Sequence, residues 1–241
     1  MQISLIIPMY NEEKIIAETA KTLSAYMKEH FESYEILFSN DGSRDECARI
    51  VRDLDLPNVR VTGYEQNQGK GAAVRYAVME SKGDFVMFTD ADLAYGCEVI
   101  QRAYDLFLQS RGEDVKLILG SRNLGKDGYE GYTFLRKVMS KVYLRVLCLV
   151  GGFRLSDSQC GCKAFEGEAA REIFRRCHVN GFAFDFEAIL WADKLGYAAR
   201  EMPVKVLSHG ESKVHVVRDT IRMLRDLRKI RKDVKRAKID E

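Results

Sequence analysis

Residues 85–92 read FVMFTDAD: an apolar run, Phe85 to Thr89, delivers two carboxylates one residue apart, Asp90 and Asp92. Carboxylates this close repel each other, and burial raises the pKa of at least one. A divalent cation relieves the repulsion. Mg²⁺ or Mn²⁺ can be held through one or two carboxylates, with the other positions left to water and substrate phosphates. A diphosphate gripped between metal and protein has its charge neutralised and leaves more readily. The bland alternative for a lone D-x-D is a strand-end pair that caps the next helix. Two further polar clusters follow apolar runs in the same way: Pro8-Met9-Tyr10-Asn11-Glu12 after ISLII, and Asn40-Asp41-Gly42-Ser43 after YEILFS.

The elements that must position these groups alternate. ISLIIP, YEILFSN, NVRVTGY, DFVMFTD and VKLILGS have strand character. Between them, Glu12–Phe31, Ser43–Leu54, Gly69–Ser81 and Val99–Ser110 have helical spacing. Such alternation implies an α/β fold, a mostly parallel, doubly wound sheet flanked by helices. Ligands bind beyond the carboxyl ends of the strands in these sheets, so the three clusters are expected on one rim. Farther along, Gly120–Tyr132 reads as a loop and Tyr132–Val150 as a helix with a broad apolar face and four basic residues. DSQCGCKAF reads as a turn into a strand, AFDFEAILWADKLG as a helix, and REMPVKV as an edge strand containing Pro203. Val217–Lys238 reads as a final helix with ten Lys/Arg and three Asp. The expected organisation is one domain over 1–212, with a basic helix, 213–241, packed on or beside it.

Charge and cysteine usage narrow the classes. A formal net charge of +2 gives no reason to expect a nucleic-acid partner, and nothing in the sequence identifies a protein partner. Cys160 and Cys162 form C-x-C rather than the C-x-x-C of zinc and redox sites. The six thiols are read as reduced and the compartment as cytoplasmic. MQISLIIPMYNEE starts on a strand rather than a signal peptide, and no window approaches the ~20 apolar residues that span a bilayer. The 132–150 segment sets aromatic, Leu and Val residues beside Lys137, Lys141 and Arg145, the make-up of an interfacial helix. The last helix adds a basic face that anionic headgroups attract. Peripheral binding to the inner face of a membrane is therefore expected, with core packing as the alternative for both helices.

SLIIPMYNEE, SNDGSRD, NQGKGAAVRYA, DADLA and GSR occur here in the order and spacing of the family 2 glycosyltransferases, which have the GT-A fold. DSQCGCKAF, FAFDFEAIL and HGESK resemble the polyprenyl-phosphate sugar synthases, most closely the dolichyl-phosphate glucosyltransferase branch, with the mannosyl branch next. The resemblance spans about residues 2 to 230. It implies that Pro8, Tyr10 and Glu12 line a nucleotide pocket and that Asp41 contacts the base or ribose. Asp90 and Asp92, with Ala91 between them, would bind metal and diphosphate, and His209 would reach metal or donor. Gly69 to Gly71, with Lys70, would let the backbone approach the donor. Arg122 and Arg136 would hold the acceptor phosphate, Asp185 and Glu187 would lie near the acceptor, and His209 to Lys213 would close over the donor.

Two departures bear on the donor. Asn40 stands where relatives usually carry an acid, and an amide both donates and accepts, which suits uracil. Ala94 stands where the mannosyl branch usually has Gln. Both lean toward a UDP-hexose, glucose first, with GDP-mannose as the alternative. A polyprenyl phosphate is already ionised and attacks without a base, so positioning and electrostatics dominate. Arginines suit that task. The expected enzyme is thus an inverting, metal-dependent hexosyltransferase acting on a polyprenyl phosphate. The rival reading elongates a saccharide on a sugar hydroxyl, with Asp185 as general base.

Overall fold

The computed structural model describes residues 1–125, 145, 147–150, 152, 155–207 and 216–238. Its strands are β1 (Ile3–Met9), β2 (Tyr34–Asp41), β3 (Val59–Tyr64), β4 (Phe85–Phe88), β5 (Val115–Ser121), β6 (Lys163–Glu166) and β7 (Ala198–Pro203). They form one sheet in the order β3-β2-β1-β4-β6-β5-β7. The helices are α1 (Ile16–His30), α2 (Cys47–Asp53), α3 (Lys70–Glu80), α4 (Glu98–Gln109), α5 (Gly167–Arg176), α6 (Phe184–Lys194) and α7 (Val216–Arg236).

β1 is buried along its whole length, as a central parallel strand covered on both faces must be. Its alternate residues feed two cores. Leu5 and Ile7 meet Met87 and the inner faces of α1 and α4, while Ile6 meets Val74, Phe88, Phe165 and Phe186 on the opposite side. β1, β2, β3 and β4 are parallel, as the alternation implies, and so are β5 and β7. β6 alone runs backwards, antiparallel to both β4 and β5. β7 is the edge strand expected around Pro203, placed two residues earlier at its start.

α5 is a helix that the periodicity did not reveal. It follows β6 without a connecting loop, entering through Gly167, whose N–H donates to the Asp84 carbonyl at 2.7 Å. A Cβ on Gly167 would lie 2.2 Å from the Gly83 carbonyl, so only glycine lets the strand turn into a helix there. α7 lies on α6, with Leu227, Ile230 and Val234 buried and Arg228, Lys229, Arg231, Lys232, Lys235 and Arg236 exposed. Lys194 at the end of α6 donates to the Ala237 carbonyl at 2.6 Å and also reaches the Val234 carbonyl, tying down the end of α7. Most of the 132–150 segment lies outside the described residues. Residues 145 and 147–150 are helical, with Leu147 in the core and Leu149 80% exposed.

Candidate active site

The parallel register sets the rim. Met9 pairs with Asn40, and Phe88, the last residue of β4, pairs with Ile6, so the three parallel strands point their carboxyl ends at one rim, β4 ending three residues before β1. The first two clusters are stitched together. Asn11, at φ 54°, donates its N–H to Ser43 Oγ at 3.0 Å and accepts from Arg44 N–H at 2.9 Å, while Glu13 N–H donates to Asp45 at 2.8 Å. Pro8 is buried within β1; Tyr10 and Glu12 are half-buried at its exit. The third cluster is anchored from below, where Thr19 Oγ1 of α1 donates to the Ala91 carbonyl at 2.7 Å.

Asp90 and Asp92 differ in surroundings. Asp92 is exposed, and its Oδ1 accepts the Ala94 N–H at 3.1 Å. Its carboxyl is nonetheless held above the usual range, first by lost hydration in the crowded turn, then by the charge of Asp90, with Glu12 adding to it. Asp90 is half-buried and paired with Lys70, the first residue of α3. Its other oxygen lies over Gly161, where a Cβ would sit 2.1 Å away. Two neighbouring carboxylates, with the solvent-facing one raised in proton affinity by burial and by the charge of the other, form a donor set suited to a hard divalent cation. The structure contains no third His, Cys, Asp or Glu grouped with them among the described residues. Such a cation would therefore complete its shell with water or substrate oxygens.

Lys163 is a charged residue that the sequence reading did not single out. β6 runs antiparallel, so its first residue lies at the rim beside Phe88. Its ammonium is fully buried, donating to Asp185 at 2.7 Å and to the Cys160 carbonyl at 2.6 Å. Asp185, in the first turn of α6, is buried too. Burial pushes its carboxyl up, and Lys163 and then Lys70 pull it back. Lys163 thus lies one strand away from Asp90, beneath the same site. A lysine standing directly before the apolar pair Ala164-Phe165 was the available signal.

Other expected site residues are placed with partners already in hand. Asp41 accepts from Tyr64 Oη (2.7 Å), Gln68 N–H (2.9 Å), Gly69 N–H (3.0 Å) and Asn67 Nδ2 (2.8 Å), so its carboxylate organises the 64–69 loop. Asn40 Oδ1 accepts the Ser43 N–H at 3.1 Å, which leaves its amide NH₂ as the group to offer a base. Arg122 grips Asp157 with two prongs, 2.6 and 3.1 Å, and both are nearly buried. Gly69 and Gly71 do permit a close approach, but to the chain itself. Their added Cβ atoms would meet the Asn180 carbonyl at 2.5 Å and Phe184 Cβ at 2.6 Å. Glu187 accepts the N–H groups of His178 and Val179 at 3.0 and 2.8 Å. Arg136, His209 and Lys213 lie outside the described residues.

The glycosyl transferase family 2 pattern matches residues 4–174, which contain all three rim clusters and β6. The chain belongs to glycosyl transferase family 2. Among curated relatives of this family 2 protein, a dolichyl-phosphate beta-glucosyltransferase of Dictyostelium discoideum is 31% identical, over 95% of this chain and 73% of that one. The protein of the same name from Saccharomyces cerevisiae is 28% identical, over 93% and 72%. Among solved structures, Mycobacterium tuberculosis glucosyl-3-phosphoglycerate synthase with Mn²⁺, UDP and phosphoglyceric acid superposes with a TM-score of 0.70. It shares 18% identity over 99% of this chain and 80% of that one, which speaks for the GT-A fold.

Proposed function

We propose that this family 2 protein transfers a hexose, glucose first, from a nucleotide sugar to a polyprenyl phosphate at a membrane surface, with a divalent cation. The observation that carries the choice of acceptor is the Lys163–Asp185 pair. Asp185 is the carboxylate that the rival sugar-hydroxyl reading would use as a base, and it is buried with its Oδ1 held by Lys163. An ionised phosphate acceptor requires no base, whereas a sugar hydroxyl does. The relatives named above for transfer to dolichyl phosphate support the same acceptor class.

When bound, Mg²⁺ or Mn²⁺ would neutralise the donor diphosphate and stabilise charge on the leaving group. Asp90 and Asp92 would hold it. Lys70 brings an ammonium to the same spot, so diphosphate oxygens arriving beside Asp90 meet a fixed positive charge. The Asp41-organised loop and the stitched β1 and β2 clusters form a rigid floor for the nucleotide, and Asn40 presents amide N–H donors to a base carbonyl. Preorganisation of this kind lowers the barrier because little reorients during reaction. Tyr10, Glu12, Pro8 and Ala91 line that floor in this reading, while Arg136, Lys213 and His209 keep the acceptor and lid roles implied by the resemblance. The UDP preference rests on Ala94 and on the glucosyl relatives. The exposed cations of α7 favour anionic headgroups at about 1 kcal/mol per well-placed residue, and among the described residues no helix is long and apolar enough to cross a membrane.

The test uses a short-chain polyprenyl phosphate and a panel of UDP- and GDP-hexoses with Mn²⁺. UDP-glucose is expected to be the best donor, and chelation or Asp92→Ala is expected to silence transfer with an unchanged melting temperature. Full activity after exhaustive chelation would remove the metal, and a tenfold preference for GDP-mannose would move the protein to the mannosyl branch.

A further inference from the structure

Away from the rim, the outer face of α3 and the end of α5 border an open cavity of about 680 Å³, within the size range of small-molecule sites. Its apolar wall is Tyr64, Tyr76 and Met79; the two rings meet edge to face at 5.7 Å, and Tyr76 and Met79 are about two-fifths exposed. Its polar wall carries two cations, Arg75 and Arg175, and one acid, Glu80, with Gln68 and Asn180 beside them. Arg75 donates Nη2 to Asn180 Oδ1 at 2.7 Å, but its Nη1 is buried and has no hydrogen-bond partner among the described residues. Buried donors are almost always satisfied, and an orphaned guanidinium nitrogen beside a cavity requires an explanation. The nearby acids do not supply one. Glu80 faces Arg60 at 3.8 Å, and Glu187 is occupied by the His178 and Val179 N–H groups.

We propose that this cavity binds a small soluble organic phosphate with a flat, apolar body. The phosphate takes the exposed guanidinium of Arg175, beside the charge of Arg75, a fork geometry that suits phosphate oxygens. The body lies against Tyr76 and Met79, where a ring finds an aromatic edge and a polarisable thioether. The site is separate from the metal rim but adjoins its supports. Tyr64 donates to Asp41, and the Asn180 carbonyl accepts the Gly71 N–H at 2.8 Å behind Lys70.

Phenyl phosphate is the probe, and ¹³C-methyl methionine NMR is the readout, with the Met79 signal assigned by Met79→Leu. The expected result is saturable movement of the Met79 signal with a Kd below about 1 mM, persisting in Asp92→Ala, whose metal site is disabled. Arg75→Met is expected to weaken binding at least tenfold. Arg175→Ala, at an exposed position, should weaken it severalfold at the wild-type melting temperature, and it decides the matter if Arg75→Met does not fold. Inorganic phosphate should bind at least tenfold more weakly than phenyl phosphate. The proposal is overturned if Met79 does not move, if its movement vanishes in Asp92→Ala, or if both arginine variants bind as wild type. It is also overturned if inorganic phosphate binds equally well, or if only phosphatidic-acid vesicles move the signal, which would make the occupant a lipid headgroup.

Discussion

Replacing Lys163 by Met tests the floor of the site. The side chain is fully buried, and its ammonium serves both Asp185 and the Cys160 carbonyl. Met keeps the length and apolar contacts but leaves a buried carboxylate without its cation. Breaking a buried pair from one side costs about 3–5 kcal/mol. That is a large share of the roughly 5–15 kcal/mol that holds a domain together. For a chain of this size each kcal/mol moves the melting temperature by about 2–4 °C, so a fall of roughly 6–20 °C is expected. Trp191, the only tryptophan, is buried on the same helix as Asp185 and reports urea unfolding by fluorescence. The midpoint should fall with an unchanged m-value. The double variant Lys163→Met/Asp185→Leu removes both charges and should recover most of the loss, because an apolar replacement of a buried pair is often neutral or better. A single variant that loses under about 1 kcal/mol, or a double variant no better than the single, would show that the pair does not hold this floor.

Three other outcomes follow from described contacts. Gly161→Ala places a methyl against Asp90 Oδ2, so it should lower kcat/KM at least tenfold while the Mn²⁺-induced thermal shift shrinks, a result that isothermal calorimetry can check independently. Burial favours the neutral form of Asp157, yet Arg122 outweighs it and holds the carboxyl below its ordinary value. A depressed folded pKa stabilises above the unfolded value and is lost as pH falls through the folded one, so the stability gap between wild type and Asp157→Asn should narrow below about pH 4 in urea titrations. Burial raises the Cys160 thiol to about 11, and Cys162 and Cys177 are raised as well. Iodoacetamide at pH 8 should therefore label Cys148, the half-buried thiol, first by peptide mass mapping, with the core thiols reacting only on unfolding.

The rim was readable because each of its clusters follows its own strand directly, and a parallel sheet lines up strand ends whatever the helices between them do. Asp90, Asp92, Glu12 and Asn40 were legible for that reason. Their partners were not. Lys163 reaches the site only because β6 enters the sheet in reverse, and strand polarity is a tertiary fact that period-two patterning does not encode. Asp157 looked like part of a turn; its pairing with Arg122 depends on where β5 ends. α5 escaped notice because glycine lets it begin on the residue directly after a strand. The Gly-Lys-Gly run implies close approach of a donor, whereas the chain itself, through Asn180 and Phe184, fills that space; sequence does not distinguish the two.

The reversed strand also orders the assembly of the molecule in time. β1 to β4 pair with one another and are complete by Phe88. β5 and β7 join that sheet only through β6, whose partner for Phe85 is Glu166. Synthesis proceeds from the N-terminus, so β6 is delivered only after β1 to β4 have been made. During that interval the D-x-D turn already exists, but the glycine beneath Asp90 and the lysine that neutralises Asp185 have yet to arrive. The nascent chain therefore acquires its acidic rim before the floor of the proposed site, which is among the last things that folding completes.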